Sequence, residues 1–107
     1  MNMLNSLIIE GNVKNVKETG ANCCEITVEY IRFYENENGE TVEEVSTFPV
    51  ETWGKLAEVC KTKCSEGRGL RIVGRLKQNC WKDADGKNNS RLVVVAEHID
   101  FKPLKRN

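Results

Sequence analysis

The sequence predicts an all-β fold, a five-stranded Greek-key barrel with a small helix between strands three and four. Three observations predict it. Much of the chain alternates apolar and polar residues with a period of two, as in Cys24-Glu25-Ile26-Thr27-Val28-Glu29-Tyr30, which marks a half-buried strand. A single segment, residues 54–65, changes to a helical period. The chain has 107 residues, 39% of them hydrophobic and 30% charged, enough for one core but not two. Residues 1–107 are therefore expected to form a single domain.

The elements follow in order. Residues 4–11 read as a first strand, with apolar Leu7, Ile8 and Ile9 ended by Gly11. Residues 22–33 alternate and form the second. Residues 35–44, with Asn38-Gly39 inside, read as a solvated hairpin turn, and residues 45–53 as the third strand. In residues 54–65, Leu56, Val59, Cys60, Lys63 and Cys64 recur at spacings of three and four among good helix formers, which gives a helix of about three turns. Gly67 and Gly69 stop it. Residues 70–81 alternate again, 82–90 form a polar loop around Asp85-Gly86, and 92–101 form the last strand. Five short strands with the one helix in that place fit a barrel of the OB type.

Alternation also assigns faces. Leu70, Ile72 and Leu76 share the core face of the fourth strand, which sends Arg71, Arg75, Lys77 and Trp81 outward. In the third strand Phe48 and Val50 point inward, and Thr47, Glu51 and Trp53 point outward. Phe33 falls on the outward side of the second strand, opposite to Cys24, Ile26, Val28 and Tyr30. Pro49 threatens the ladder just before Trp53. Exposing a large ring forfeits ~2 kcal/mol of burial, so several outward rings on one sheet suggest a partner.

Charge narrows the choice of partner. Lys plus Arg and Asp plus Glu each number 16, for a net charge of zero. Residues 1–60 nevertheless hold 4 basic and 11 acidic side chains, whereas residues 61–91 hold 9 basic and 3 acidic. A polyanion responds to that local positive charge rather than to the net value. Single-strand bases stack on exposed rings for roughly 1–3 kcal/mol each, and interleaved Lys and Arg meet the phosphates.

Other functions lack support. No stretch approaches the ~20 apolar residues of a membrane span, and the N-terminus shows no signal-peptide pattern, so a cytoplasmic protein is expected. The five cysteines are odd in number, include no C-x-x-C pair, and accompany one histidine, His98. They read as small buried apolar residues rather than a zinc site or a disulfide framework. No triad or phosphate-binding glycine loop is present. No enzyme activity, cofactor or metal is expected.

Several segments then resemble a known family. Residues 4–12 (L-N-S-L-I-I-E-G-N), residues 53–59 (W-G-K-L-A-E-V), Gly74-Arg75-Leu76-Lys77 with Trp81-Lys82-Asp83 and Gly86, and residues 94–99 (V-V-A-E-H-I) resemble bacterial single-stranded DNA-binding proteins across nearly the whole chain. The resemblance implies an OB-fold that binds single-stranded DNA with little sequence preference, as a homotetramer, in replication, recombination or repair. Phe33, Trp53 and Trp81 fall on three of the family's four stacking positions. The fourth falls near Thr47, which carries no ring, and Phe48 beside it faces inward. Lys55 and Lys77 fall on basic positions of the family, and Lys82, Lys87 and Arg91 flank a loop that closes over the strand in relatives. The family adds an acidic C-terminal tip that recruits enzymes. The sequence in hand stops at Lys105-Arg106-Asn107 without one, so tail-mediated partners are not implied.

The expected function is thus non-enzymatic single-stranded DNA binding. Phe33, Trp53 and Trp81 would stack on bases, and Lys55, Arg71, Arg75, Lys77, Lys82, Lys87 and Arg91 would meet phosphates. The alternative is a primosomal (PriB-like) protein-interaction module on the same barrel, dimeric rather than tetrameric. Glu35, Glu37, Glu40, Glu43 and Glu44 crowd the second hairpin and are expected either to be merely solvated or to narrow the DNA path by repulsion.

Overall fold

The structure is a computed structural model and describes residues 1–104; Lys105, Arg106 and Asn107, which close the expected tail-less terminus, lie outside the described residues. The chain forms β1 (Leu7–Gly20), β2 (Cys23–Glu35), β3 (Thr41–Trp53), α1 (Gly54–Lys63), β4 (Gly69–Lys82) and β5 (Asn88–Phe101). The strands close into a barrel in the order β1-β2-β3-β5-β4. The β3–β5 pair is parallel, at Val50 and Glu51, and the others are antiparallel. This is the five-stranded barrel that the alternating pattern predicts.

The core is built from the apolar members of each alternation. Val13, Ile26, Val28, Val50, Leu70 and Ile72 are fully buried and share one cluster with Val94, Ala96 and Ile99. The helix packs on β2, β3 and β5. Its Ala57 and Cys60 are buried, and Cys60 and Cys64 complete the cluster. Full burial of the Val, Ile and Leu side chains stabilises by ~1.5–3 kcal/mol apiece.

Three expectations about the elements need correction. First, β1 does not end at Gly11. It pairs with β4 over Leu7–Asn12 and with β2 over Asn12–Gly20, so it is one bent strand shared by two partners. Gly11 sits at the bend because a Cβ there would lie 2.5 Å from Val28 Cγ1 and 2.6 Å from the Glu29 carbonyl oxygen. The residue that reads as a stop is instead a site where β2 comes too close to β1 for a side chain.

Second, nearly half of the residues read as loop belong to strands. The β2–β3 ladder continues to Glu35↔Thr41, and the β4–β5 ladder to Lys82↔Asn88. Each hairpin turns within five residues, 36–40 and 83–87, by the same device. The side-chain oxygen of Asn36 accepts the N–H groups of Asn38 and Glu40 at 2.9 Å, and that of Asp83 accepts those of Asp85 and Lys87 at 3.0 and 2.9 Å. Gly39 and Gly86 supply the left-handed residue, with φ of 76° and 79°. Polar composition reads as loop because an arm with two solvated faces has no apolar face to reveal it.

Third, Leu76 is not in the core but 47% exposed. Its neighbour on the open side is Asn5, whose side chain donates to the Leu76 carbonyl at 2.7 Å and accepts its N–H at 3.0 Å. A polar residue stands where β1 would have supplied an apolar one, so the core face of β4 runs out of cover there. The concern over Pro49 also resolves. It pairs with Thr27 in an unbroken β2–β3 ladder, and β3 meets β5 only at Val50 and Glu51, which leaves an open edge beside the proline nitrogen.

Candidate functional site

The outward faces of β3 and β4 hold the two tryptophans. Trp53 ends β3 and stands at the N-cap of α1 in extended conformation, φ −129° and ψ 153°. It is 53% exposed, Trp81 near the tip of β4 is 48% exposed, and Phe33 near the tip of β2 is 65% exposed. None of the three rings belongs to the hydrophobic core.

Between the tryptophans lies a carboxylate that sequence reasoning placed on this face without giving it a role. Glu51 is only 7% exposed. Its Oε1 accepts the Trp53 indole N–H at 2.7 Å and lies 3.3 Å from Lys77 Nζ, and its Oε2 accepts from the Asn79 amide at 2.9 Å. Burial pushes the Glu51 pKa up, but hydrogen bonds from Asn79, Trp53 and Lys77, together with the Lys77 charge, outweigh it and hold the carboxyl below its ordinary value. Directly opposite on β2 is Glu25, which forms an ion pair with Arg91. Two carboxylates facing each other across a ladder repel. Here each is matched by a cation from the β4–β5 arm. Glu25, Glu51, Trp53, Asn79 and Arg91 line a cavity of about 370 Å³.

The other cations are distributed unevenly. Lys55 is exposed in the first turn of α1, and Arg75 is exposed on the outward face of β4. Lys82 and Lys87 are exposed at the β4–β5 tip beside a depression of about 450 Å³ lined by Trp81, Lys82, Gln78 and Asn89. Arg71 stands apart, ten residues along β4 from Trp81, and lies 3.8 Å from Glu10. Lys102 holds the same carboxylate at 2.6 Å. The structure thus gathers Trp53, Lys77 and Arg91 about Glu51 and Glu25, sets Trp81 two residues beyond Asn79 on the same face of β4, and leaves Arg71 outside.

Phe33 has a different setting. Glu43 is directly opposite, and Ile31 and Val45 form the next pair on the same face. The ring stands on an apolar strip bordered by acid, without a described ion-pair cation beside it. The cysteines also divide. Cys23, Cys24, Cys60 and Cys64 are buried and unbridged as expected, but Cys80 is exposed on the arm. Among the described residues no cluster of ligating side chains fits a metal ion, and no described helix is long and apolar enough to cross a membrane.

Comparison with known proteins follows the same geometry. The chain is 36% identical over 102 residues to a single-stranded DNA-binding protein of Aquifex aeolicus, covering 91% of this chain and 69% of that one. It is 33% identical over 95 residues to single-stranded DNA-binding protein 1 of Clostridium acetobutylicum, covering 89% and 84%. The fold matches a Plasmodium falciparum SSB solved in complex with ssDNA, with a TM-score of 0.80 at 13% identity over 96% of this chain and 98% of that one. Residues 4–102 match the profile of the Single-strand binding protein family, and the chain belongs to that family.

Proposed function

We propose that the protein binds single-stranded DNA without chemistry, by stacking bases on Phe33, Trp53 and Trp81 and by placing phosphates against Lys55, Arg75, Lys77, Lys82, Lys87 and Arg91. Arg71, paired with Glu10, contributes least to this set. The observation that carries the reading is the exposure of both tryptophans on one surface of the barrel, with cations between and beyond them. A base has an apolar face on each side and gains from such rings whatever its identity. Stacking therefore favours tolerance of sequence. The family and the relatives' names support the same ligand.

In this reading residues 1–107 act as one OB-fold domain, cytoplasmic and nucleoid-associated, in replication, recombination or repair. The domain works as a homo-oligomer, with a tetramer as the first expectation. Exposed Ile8 on β1, 70% accessible, supplies an apolar surface suited to self-association.

Oligo-dT titration tests the binding. Both tryptophans lie in the site, so intrinsic fluorescence should quench as DNA binds. The affinity should fall with salt at a log–log slope of about −0.7 for each phosphate neutralised. Absence of quenching at low salt would sink the proposal. A tight, salt-insensitive complex with a helicase, without DNA affinity, would establish the primosomal reading instead.

A further inference from the structure

An exposed tryptophan at a strand end is a poor stacking platform unless its plane is fixed. Its two side-chain torsions are free in solvent, and ordering them on binding costs affinity. Trp53 has one polar atom with which to be fixed, the indole nitrogen, and it donates to Glu51 at 2.7 Å. Glu51 is itself held on both oxygens. It is 7% exposed and also receives Asn79 and Lys77, both from β4. Positions 77, 79 and 81 share one strand face without a register shift between them. The carboxylate therefore connects the strand that ends in Trp53 with the strand that carries Trp81.

Simple stability does not explain this residue. A buried carboxylate carries a desolvation cost, and this one faces a second carboxylate, Glu25, across the ladder. It also places negative charge in a surface proposed to receive phosphates. Its position two residues before Trp53 makes it the group on β3 that meets the indole from the same face.

We infer that Glu51 is a positioning residue: its carboxylate presets the plane of the Trp53 indole and its placement relative to the Trp81 strand before DNA arrives. The inference rests on the single-stranded DNA reading above. In the free protein, Glu51 holds the ring while Lys77 and Asn79 hold Glu51. A base then stacks on a surface that has already lost its freedom.

The test combines a mobility readout with a double-mutant cycle. Trp81→Phe leaves Trp53 as the one tryptophan, since the chain has 2. In that background, time-resolved anisotropy of the free protein reports the motion of the Trp53 ring. Glu51→Met removes the acceptor while filling its space, and Glu51→Ala serves if methionine is not accommodated. Either should add a fast depolarising component. Glu51→Gln retains an acceptor oxygen, and Asn79 can flip its amide to meet it, so Gln should restore the slow anisotropy.

With Trp81 present, the cycle compares oligo-dT affinity for Glu51→Met in the Trp53 parent and in Trp53→Phe, where the donor is gone. The gain from losing a negative charge is common to both backgrounds and cancels. Glu51→Met should cost roughly two- to tenfold more affinity with Trp at 53 than with Phe. Equal cost in both backgrounds, or unchanged anisotropy in Glu51→Met, would overturn the inference. A parent that fails to bind oligo-dT would overturn the DNA reading instead, while the anisotropy of the free protein still decides whether Glu51 holds the ring.

Discussion

The side chains on the outward face differ in how much of their charge is free. Lys77 and Arg91 are matched to Glu51 and Glu25, whereas Lys55 and Arg75 have no ion pair among the described residues. Glu51 also sets an acid response. Its folded-state pKa lies below the ordinary carboxylate value despite burial. The stability it contributes is therefore present above its unfolded pKa, about 4.3, and is lost as pH falls through the lower folded value. The groups facing it are Trp53 on its own strand, Glu25 with its partner Arg91, and Lys77 and Asn79 from β4. Glu10 and Asp83 also have lowered pKa values, so acid destabilisation is a sum. Denaturant titrations should show the parent losing stability below about pH 4 more steeply than Glu51→Gln, and parallel curves would refute the assignment. At this scale the three rings and their outward direction were legible from alternation. The role of Glu51 was not, because a period of two gives a face and not a partner on another strand.

Among the elements, the strands and helix were placed correctly in order and in type, but their lengths were not. Strand pattern is visible only where one face is buried. The arms beyond Tyr30 on β2 and beyond Arg75 on β4 are mostly exposed on both faces, so their outermost rungs, at residues 35, 41–44, 82 and 88–90, read as polar loop. Bends are similarly hidden. Gly74 pairs with β5 beside a register shift, and a Cβ there would run into the carbonyl oxygen of Val95. Gly74→Ala should destabilise by about 1–3 kcal/mol through forced backbone movement. The check is a lower midpoint in urea with an unchanged slope, and an unaltered midpoint would show that the strand crossing tolerates a side chain. The two arms share one turn design but differ in charge: Asn36–Glu40 with Glu43 and Glu44 is acidic, whereas on the other arm Asp83 and Asp85 balance Lys82 and Lys87 at the tip, and Lys77 and Arg91 leave the arm positive. Phe33 accordingly offers a stacking ring in an acid setting, and Trp81 offers one in a basic setting.

For the whole molecule, the polarity of charge along the chain takes on a spatial meaning. The acidic portion supplies β2 and β3, and the basic portion supplies β4 and the start of β5. Barrel closure brings Glu25 and Glu51 against Arg91 and Lys77. Part of the apparent positive patch is thereby neutralised internally, and a phosphate gains less from a cation already paired. The salt dependence of oligo-dT binding should reflect this. Lys82→Gln should flatten the log–log slope by about 0.7, and Lys77→Gln by clearly less. Equal changes would mean that DNA displaces the Glu51 pair.

The sequence alone determined the class of fold, the strand order along the chain, most of the core and the outward rings, because periodicity and residue type are local properties. The tertiary structure alone decided which charges remain free and which residue steadies Trp53. The Glu51–Trp53 bond is local, but what holds Glu51 and what neutralises the cations are contacts between residues 26 and 66 positions apart, Glu51 with Lys77 and Glu25 with Arg91, and such pairs exist only after the strands have closed into a barrel.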